Sequence, residues 1–184
     1  MALSSTIHKV ELSISDMDRH YYATHSLTLA RHPSETEQRL MARLLAFILY
    51  ADERLIFGRG LSDEDEPALW RKAHSDEIEL WIEVGQPDET RIRKACGRSR
   101  HVVVINYGGR SDAIWWDKIG ATLARNRNLS VLAINEADMH HLVSLCDRSI
   151  RLQCLIEDGE LQIIDADTTL AIRPQARMGD YAVA

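Results

Sequence analysis

One stretch limits what this chain can become: HVVVINY, residues 101–107. A continuous β-branched run has no polar face to give to water, so it reads as a strand covered on both sides, as in a parallel sheet with helices above and below. Its surroundings agree. The strand IELWIEV (78–84) and a helix over 88–98 come before it; GGR, a helix over 111–125 and the strand NLSVLAIN (128–135) come after it. Two successive β-α-β crossovers set these three strands side by side and parallel.

The segments before the crossovers read differently. IHKVELSIS and YYATHSLTLA, within 6–15 and 21–30, alternate in polarity around DMDRH, which predicts a β-hairpin. Pro33 ends it, Ser34 is the expected N-cap of the next helix, and Glu37 stands three residues on, as in a capping box. Leu40, Leu44, Phe47 and Ile48 recur at helical spacing, so 35–50 is expected as an amphipathic helix on a sheet. RLIFGRG (54–60), ALWRK (68–72) and 77–84 follow with short connections, which predicts an antiparallel meander. After 135 come a short helix (136–146), a hairpin of RLQCLI and ELQIID joined by EDG, and a tail of about a dozen residues expected to be loose. The fold class is α/β: a mixed β-sheet, antiparallel meander then β-α-β crossovers, with helices on both faces. One domain is expected over 1–184, with a core at about 35–135, an N-terminal hairpin at 6–30 and a C-terminal hairpin at 150–166.

The net charge of −6 argues against a protein that coats nucleic acid without specificity, because neutralising phosphates takes clustered cations. One basic track exists, RIRKACGRSRH (91–101), which sets Arg91, Arg93, Lys94, Arg98 and Arg100 close together. Cys96, Cys146 and Cys154 form neither a CxxC pair nor an even set, so no disulfide framework or zinc knuckle is indicated. No signal peptide or membrane span is read, and the expected location is a reducing cytoplasm.

The strand 78–84 carries the candidate chemistry. Glu79, Trp81 and Glu83 share one face, and Glu83 stands near the carboxyl end. Many metal-dependent nucleases place a lysine two residues after such an acid; here that position is Gly85. A hard cation such as Mg²⁺ takes oxygen ligands, lowers the pKa of a bound water and neutralises charge on the reacting oxygens. Glu79 is about 13 Å along the strand from Glu83, too far to share one ion, so the partner must come from the neighbouring strand. The turn Asp63, Glu64, Asp65, Glu66 supplies one: Glu66, just before Pro67, is best placed to face Glu83. Lys94, on a stripe with Arg91 and Arg98, replaces the missing strand lysine in this reading. The candidate catalytic residues are therefore Glu66, Glu83 and Lys94. Glu66 and Glu83 are the metal ligands, Mg²⁺ is the expected cofactor, and Arg91, Arg98 and Arg100 are the nucleic-acid contacts. Plainer readings stand beside these: a solvated acidic turn, a solvated helix face, and a Glu83 that partners an arginine.

TLARHPSET, YADERLIFGRGLS, DEPALW, ELWIEVGQPDE and RIRKAC, with INYGGR and the IWW of 114–116, resemble the YaeQ family of bacterial proteins along essentially the whole chain. The resemblance implies a degenerate branch of the PD-(D/E)XK, or restriction-endonuclease-like, nucleases, whose core order of helix, three strands, helix, strand matches 35–107. Carried over, Glu66 stands for the first acid, in an inverted Glu-Pro, and Glu83 for the second. Two functions follow as expectations: a nuclease-like protein that cuts or grips DNA or RNA, and a non-catalytic regulatory or protein-interaction module on the same scaffold. His140 and His141, adjacent on a helix, point about 100° apart and do not suit one ion. No GxSxG elbow occurs, and YGGR (107–110) lacks the lysine of a phosphate-binding loop.

Overall fold

The computed structural model describes residues 4–181. Alternation decides its first two strands. β1 (Thr6–Asp16) buries His8, Val10, Leu12, Ile14 and Asp16 on one face, and it pairs antiparallel along its whole length with β2 (Tyr21–Arg31).

The next helix, α1 (Glu37–Leu49), is capped by Thr36, whose side chain accepts from the Arg39 amide at 3.1 Å. Ser34, the cap expected from sequence, bonds His32 instead (2.6 Å). Nor is α1 amphipathic in its setting. Every residue from Leu40 to Ala51 is buried, which requires cover on both sides of the helix. Its one charged member in that run, Arg43, is held by a two-pronged ion pair with Glu35, both contacts at 2.8 Å.

The cover is two sheets, where one was expected from sequence. β3 (Leu55–Phe57), β4 (Leu69–Lys72) and β5 (Ile78–Val84) form the antiparallel meander. α2 (Glu89–Arg98), β6 (Ser99–Asn106), α3 (Arg110–Leu123) and β7 (Leu129–Ala133) then make the two crossovers, with β5, β6 and β7 parallel. Val102, Val103, Val104 and Ile105 are fully buried, as a run without a polar face demands. After α4 (Glu136–Ser144), the strands β8 (Ser149–Glu157), β9 (Glu160–Ile164) and β10 (Thr169–Ile172) join the first hairpin in a second sheet of order β10-β9-β8-β1-β2, through parallel pairing of β8 with β1.

The tail is not loose over its described part. β11 (Gln175–Met178) pairs antiparallel with β7 and completes the order β11-β7-β6-β5-β4-β3. Met178 and Tyr181 also pack against the two cores. α1 and α4 lie in the core between the sheets, while α2 and α3 cover the other face of the six-stranded sheet around Trp81, Ile92, Val104 and Leu123. Each fully buried Leu, Ile or Phe in these cores contributes about 1.5–3 kcal/mol over leaving it in water. No helix among the described residues is long and apolar enough to cross a membrane.

Candidate functional site

The site lies at the carboxyl end of β5, where the chain turns into α2. Val84 is the last strand residue, and Gly85 follows with φ +91, a backbone that L side chains rarely adopt. A lysine in the usual slot would therefore be strained as well as absent. Gln86 then ties the turn to the neighbouring crossover, donating to the Tyr107 carbonyl (3.1 Å) and the Ser111 hydroxyl (2.8 Å). Asp88 caps α2 by accepting from the Arg91 amide at 2.8 Å.

Glu83 points to the α2 side, and its side chain is 5% exposed. Its Oε1 accepts from the Trp81 indole Nε1–H and from Arg91 Nε, each at 2.8 Å. Burial pushes the Glu83 carboxyl above its ordinary range, against the opposing pull of Arg91 and the Trp81 hydrogen bond. Arg91 spends its other two nitrogens on the acidic turn: Nη1 donates to the Glu64 carbonyl at 2.6 Å and Nη2 to the Glu66 carbonyl at 2.7 Å. One guanidinium thus fastens the end of β5 to the 63–67 segment. The Glu66 carboxylate turns away from this knot and accepts from the Arg59 amide at 2.8 Å, closing its own loop.

Two cavities meet at Arg91. The smaller, about 320 Å³, reaches Glu83 and is lined also by Arg39, Gly60, Leu61 and Asp63. The larger, about 710 Å³, opens between α2 and α3 and holds Lys94, Arg98 and Lys118, with Trp81 and Trp115 in its walls. Its acids, Glu64, Asp65, Asp88 and Glu89, gather at the Arg91 end, and the cations occupy the later turns of α2 and α3. The Arg98 guanidinium lies over the Trp81 ring at 5.3 Å, and Trp115 Nε1 donates to the Pro87 carbonyl at 2.8 Å.

Several expectations change at this point. The cation on Glu83 is Arg91, not Lys94; Lys94 is exposed, lines the larger cavity, and makes no ion pair or hydrogen bond among the described residues. Arg91, expected to meet nucleic acid, gives its fork to protein oxygens. Arg100 is bound to Glu77 at the start of β6 (2.5 and 2.8 Å) and lines neither cavity. Of the three expected contacts, Arg98 alone faces the large cleft with its charge unpaired by an acid.

The arrangement does not fit an Mg²⁺ ion shared by Glu66 and Glu83. Such an ion needs several oxygens at about 2.0–2.1 Å. Here Glu83 Oε1 and the carbonyls of Glu64 and Glu66 already serve one guanidinium, and Glu66 directs its carboxylate to Arg59. No group of three or more His, Cys, Asp or Glu side chains among the described residues is arranged to hold a metal ion. Sequence reasoning missed Trp115 and Lys118, which enter the cleft from α3. Their spacing of three on a helix was the available signal, and only the packing of α3 beside α2 gives it meaning.

The family follows from comparison with known proteins. A family model described as YaeQ protein matches residues 1–174. The chain is 46% identical over 173 residues to the Uncharacterized protein YaeQ of Salmonella typhi, covering 94% of this chain and 96% of the relative. It is 42% identical over 172 residues to the protein of the same name from Escherichia coli strain K12, covering 94% and 95%. The crystal structure of the YaeQ protein from Xanthomonas axonopodis pv. citri superposes with a TM-score of 0.92 at 50% identity, covering 96% of this chain and all of that one. The Pseudomonas syringae YaeQ crystal structure superposes equally well (TM-score 0.92, 36% identity, 97% and 98% covered). The mixed α/β architecture is thus shared with solved relatives.

Proposed function

The chain belongs to the YaeQ family, and from that starting point we propose that it grips nucleic acid in the cleft between α2 and α3 without hydrolysing it. The carrying observation is the Glu83–Arg91 ion pair. In a restriction-endonuclease-like core, to which we assign the α1-β3-β4-β5-α2-β6 order, Glu83 would be the metal-binding acid. An arginine now sits where the cation would, and Glu83 Oε1 and the carbonyls of Glu64 and Glu66, which a bound metal could use, are given to its guanidinium. What remains is a scaffold whose cleft still offers positive charge and aromatic surface.

The cleft suits a single strand. Lys94, Arg98 and Lys118 present ammonium and guanidinium groups to phosphates, and Trp115, half-buried, offers an edge for a base to pack on. The acids at the Arg91 end repel a phosphate backbone there and confine its path to the other end. Three neutralised phosphates give a slope of about −2 for log affinity against log salt with single strands.

Fluorescence anisotropy with short single-stranded DNA and RNA across a salt series tests the reading, alongside calorimetric titration with Mg²⁺ and Mn²⁺. The expected result is salt-dependent binding that does not need a divalent ion, weakened in Lys94→Ala, Arg98→Ala and Lys118→Ala. Metal-dependent cleavage of those strands, abolished in Glu83→Gln, would replace this reading with the nuclease one. Absence of binding at low salt would leave the scaffold as a protein-interaction module.

A further inference from the structure

Among the described residues the sheets have four edges, and three are blunt: β3 has 3 residues, β10 has 4 and β11 has 4. The fourth, β2, has 11 residues in unbroken register with β1, without proline, glycine or bulge, and its one formal charge is Arg31 at the end. Natural proteins shorten, charge or kink such an edge because its free backbone groups template another strand.

Which groups are free follows from β1. Lys9 and Met17 donate backbone N–H groups toward the β8 side, so odd residues of β1 face β8 and even residues face β2. Through the register, His8 opposite Leu29 and Leu12 opposite His25, the odd residues of β2 are the ones bonded to β1. The N–H and C=O groups of Tyr22, Thr24, Ser26, Thr28 and Ala30 therefore point away from the sheet. Arg43 Nη2 donates to the Ala30 carbonyl at 3.1 Å, which agrees with that parity, and the other outward groups have no partner among the described residues.

We propose that β2 pairs antiparallel with the β2 of a second copy of this chain, about a two-fold axis through Ser26, joining two five-stranded sheets into one of ten strands. That register pairs every outward residue: Tyr22 with Ala30, Thr24 with Thr28, and Ser26 with itself. No like charges face each other on the exposed side, where Tyr22 is 57% exposed. On the inner side the axis brings Arg31 of each copy opposite Tyr21 of the other. Arg31 is held by Glu37 of its own copy at 3.1 Å, and Tyr21 stands among Asp52, Glu53 and Arg19, whose guanidinium lies over its ring at 5.5 Å, so no unbalanced charge meets across the axis. The strand matches its own copy in length and register, and its one formal charge never faces itself across the axis, which selects a second copy over an unrelated strand. An isologous contact of this kind closes on itself and forms no fibre.

The test reads oligomeric state. By light scattering after size exclusion, the wild-type chain is expected at twice the 20.9 kDa of one chain. Ser26→Lys and Ser26→Glu each place like charges opposite each other on the axis, and each is expected to run as a monomer with unchanged circular dichroism. Mixing the two variants is expected to restore the dimer. Thr24→Pro, which removes an outward N–H that β1 does not use, is the second disrupting variant. A wild-type monomer at millimolar concentration overturns the proposal, and so does a dimer that withstands both Ser26 variants.

Discussion

Removing the Arg91 side chain, in Arg91→Ala, isolates the interaction on which the site is built. Glu83 stays behind with its side chain 5% exposed and only the Trp81 indole to support its charge. Stripping one partner from a buried ion pair costs about 3–5 kcal/mol when both are fully enclosed. Arg91 is 28% exposed, so water replaces part of what it supplied, and its lost bonds to the Glu64 and Glu66 carbonyls count little for the same reason. A second limit comes from protonation. At pH 7 a carboxyl with an ordinary pKa of 4.5 takes up a proton at a cost of about 3.4 kcal/mol, using 1.36 kcal/mol per pH unit, so the charge-related penalty cannot exceed that. At pH 5 the same limit falls to about 0.7 kcal/mol. The expected penalty is therefore about 2–3 kcal/mol at pH 7 and below about 1 kcal/mol at pH 5. Urea unfolding at the two pH values measures it, and at pH 7 the melting temperature should fall by about 4–12 °C for a chain of this length. Pairing the change with Glu83→Gln should recover part of the loss, because the uncompensated charge is gone. A penalty under about 0.5 kcal/mol at pH 7, or one that does not change with pH, would refute the reasoning.

Glu83 itself links stability to pH in a definite direction. Burial holds its folded pKa above 4.5, so the stability it contributes is present below pH 4.5 and lost as pH rises through the raised value; urea midpoints of wild type against Glu83→Gln should converge or cross as pH climbs from 4 to 7. Glu35→Ala leaves Arg43, 3% exposed, without its carboxylate inside the core, and should cost about 3–5 kcal/mol, read as the urea midpoint or as failure to accumulate folded protein. Burial pushes the Cys96 thiol up to about 11 and the Cys154 thiol up to about 12, so alkylation of the native protein at pH 8 should be slow at both and slowest at Cys154, and fast at both in urea. In the cleft, Lys94→Ala or Lys118→Ala should each flatten the salt slope for single-stranded nucleic acid by about 0.7.

Local pattern was enough for the elements that carry their own periodicity. The hairpin of β1 and β2, the meander, and the parallel order of β5, β6 and β7 follow from alternation, turn residues and a run with no polar face. The acid at the end of β5 and the basic stripe of α2 were legible for the same reason, because residue type and spacing along one element fix which face they share. What joins distant segments was not legible. The second sheet rests on β1 pairing with β8 across about 140 residues of chain, and the tail became a strand because β7 offered it an edge. The role of Arg91 was of this kind. Sequence placed Arg91 and Lys94 on one stripe of α2, three residues apart, and spacing does not rank two cations against one acid. Only the path of α2 away from Gly85 brings the Arg91 fork onto Glu83 and the carbonyls of Glu64 and Glu66 while leaving Lys94 in the cleft. Ion pairing depends on ångström-scale geometry and on burial, and both are set by how the helix packs on the sheet.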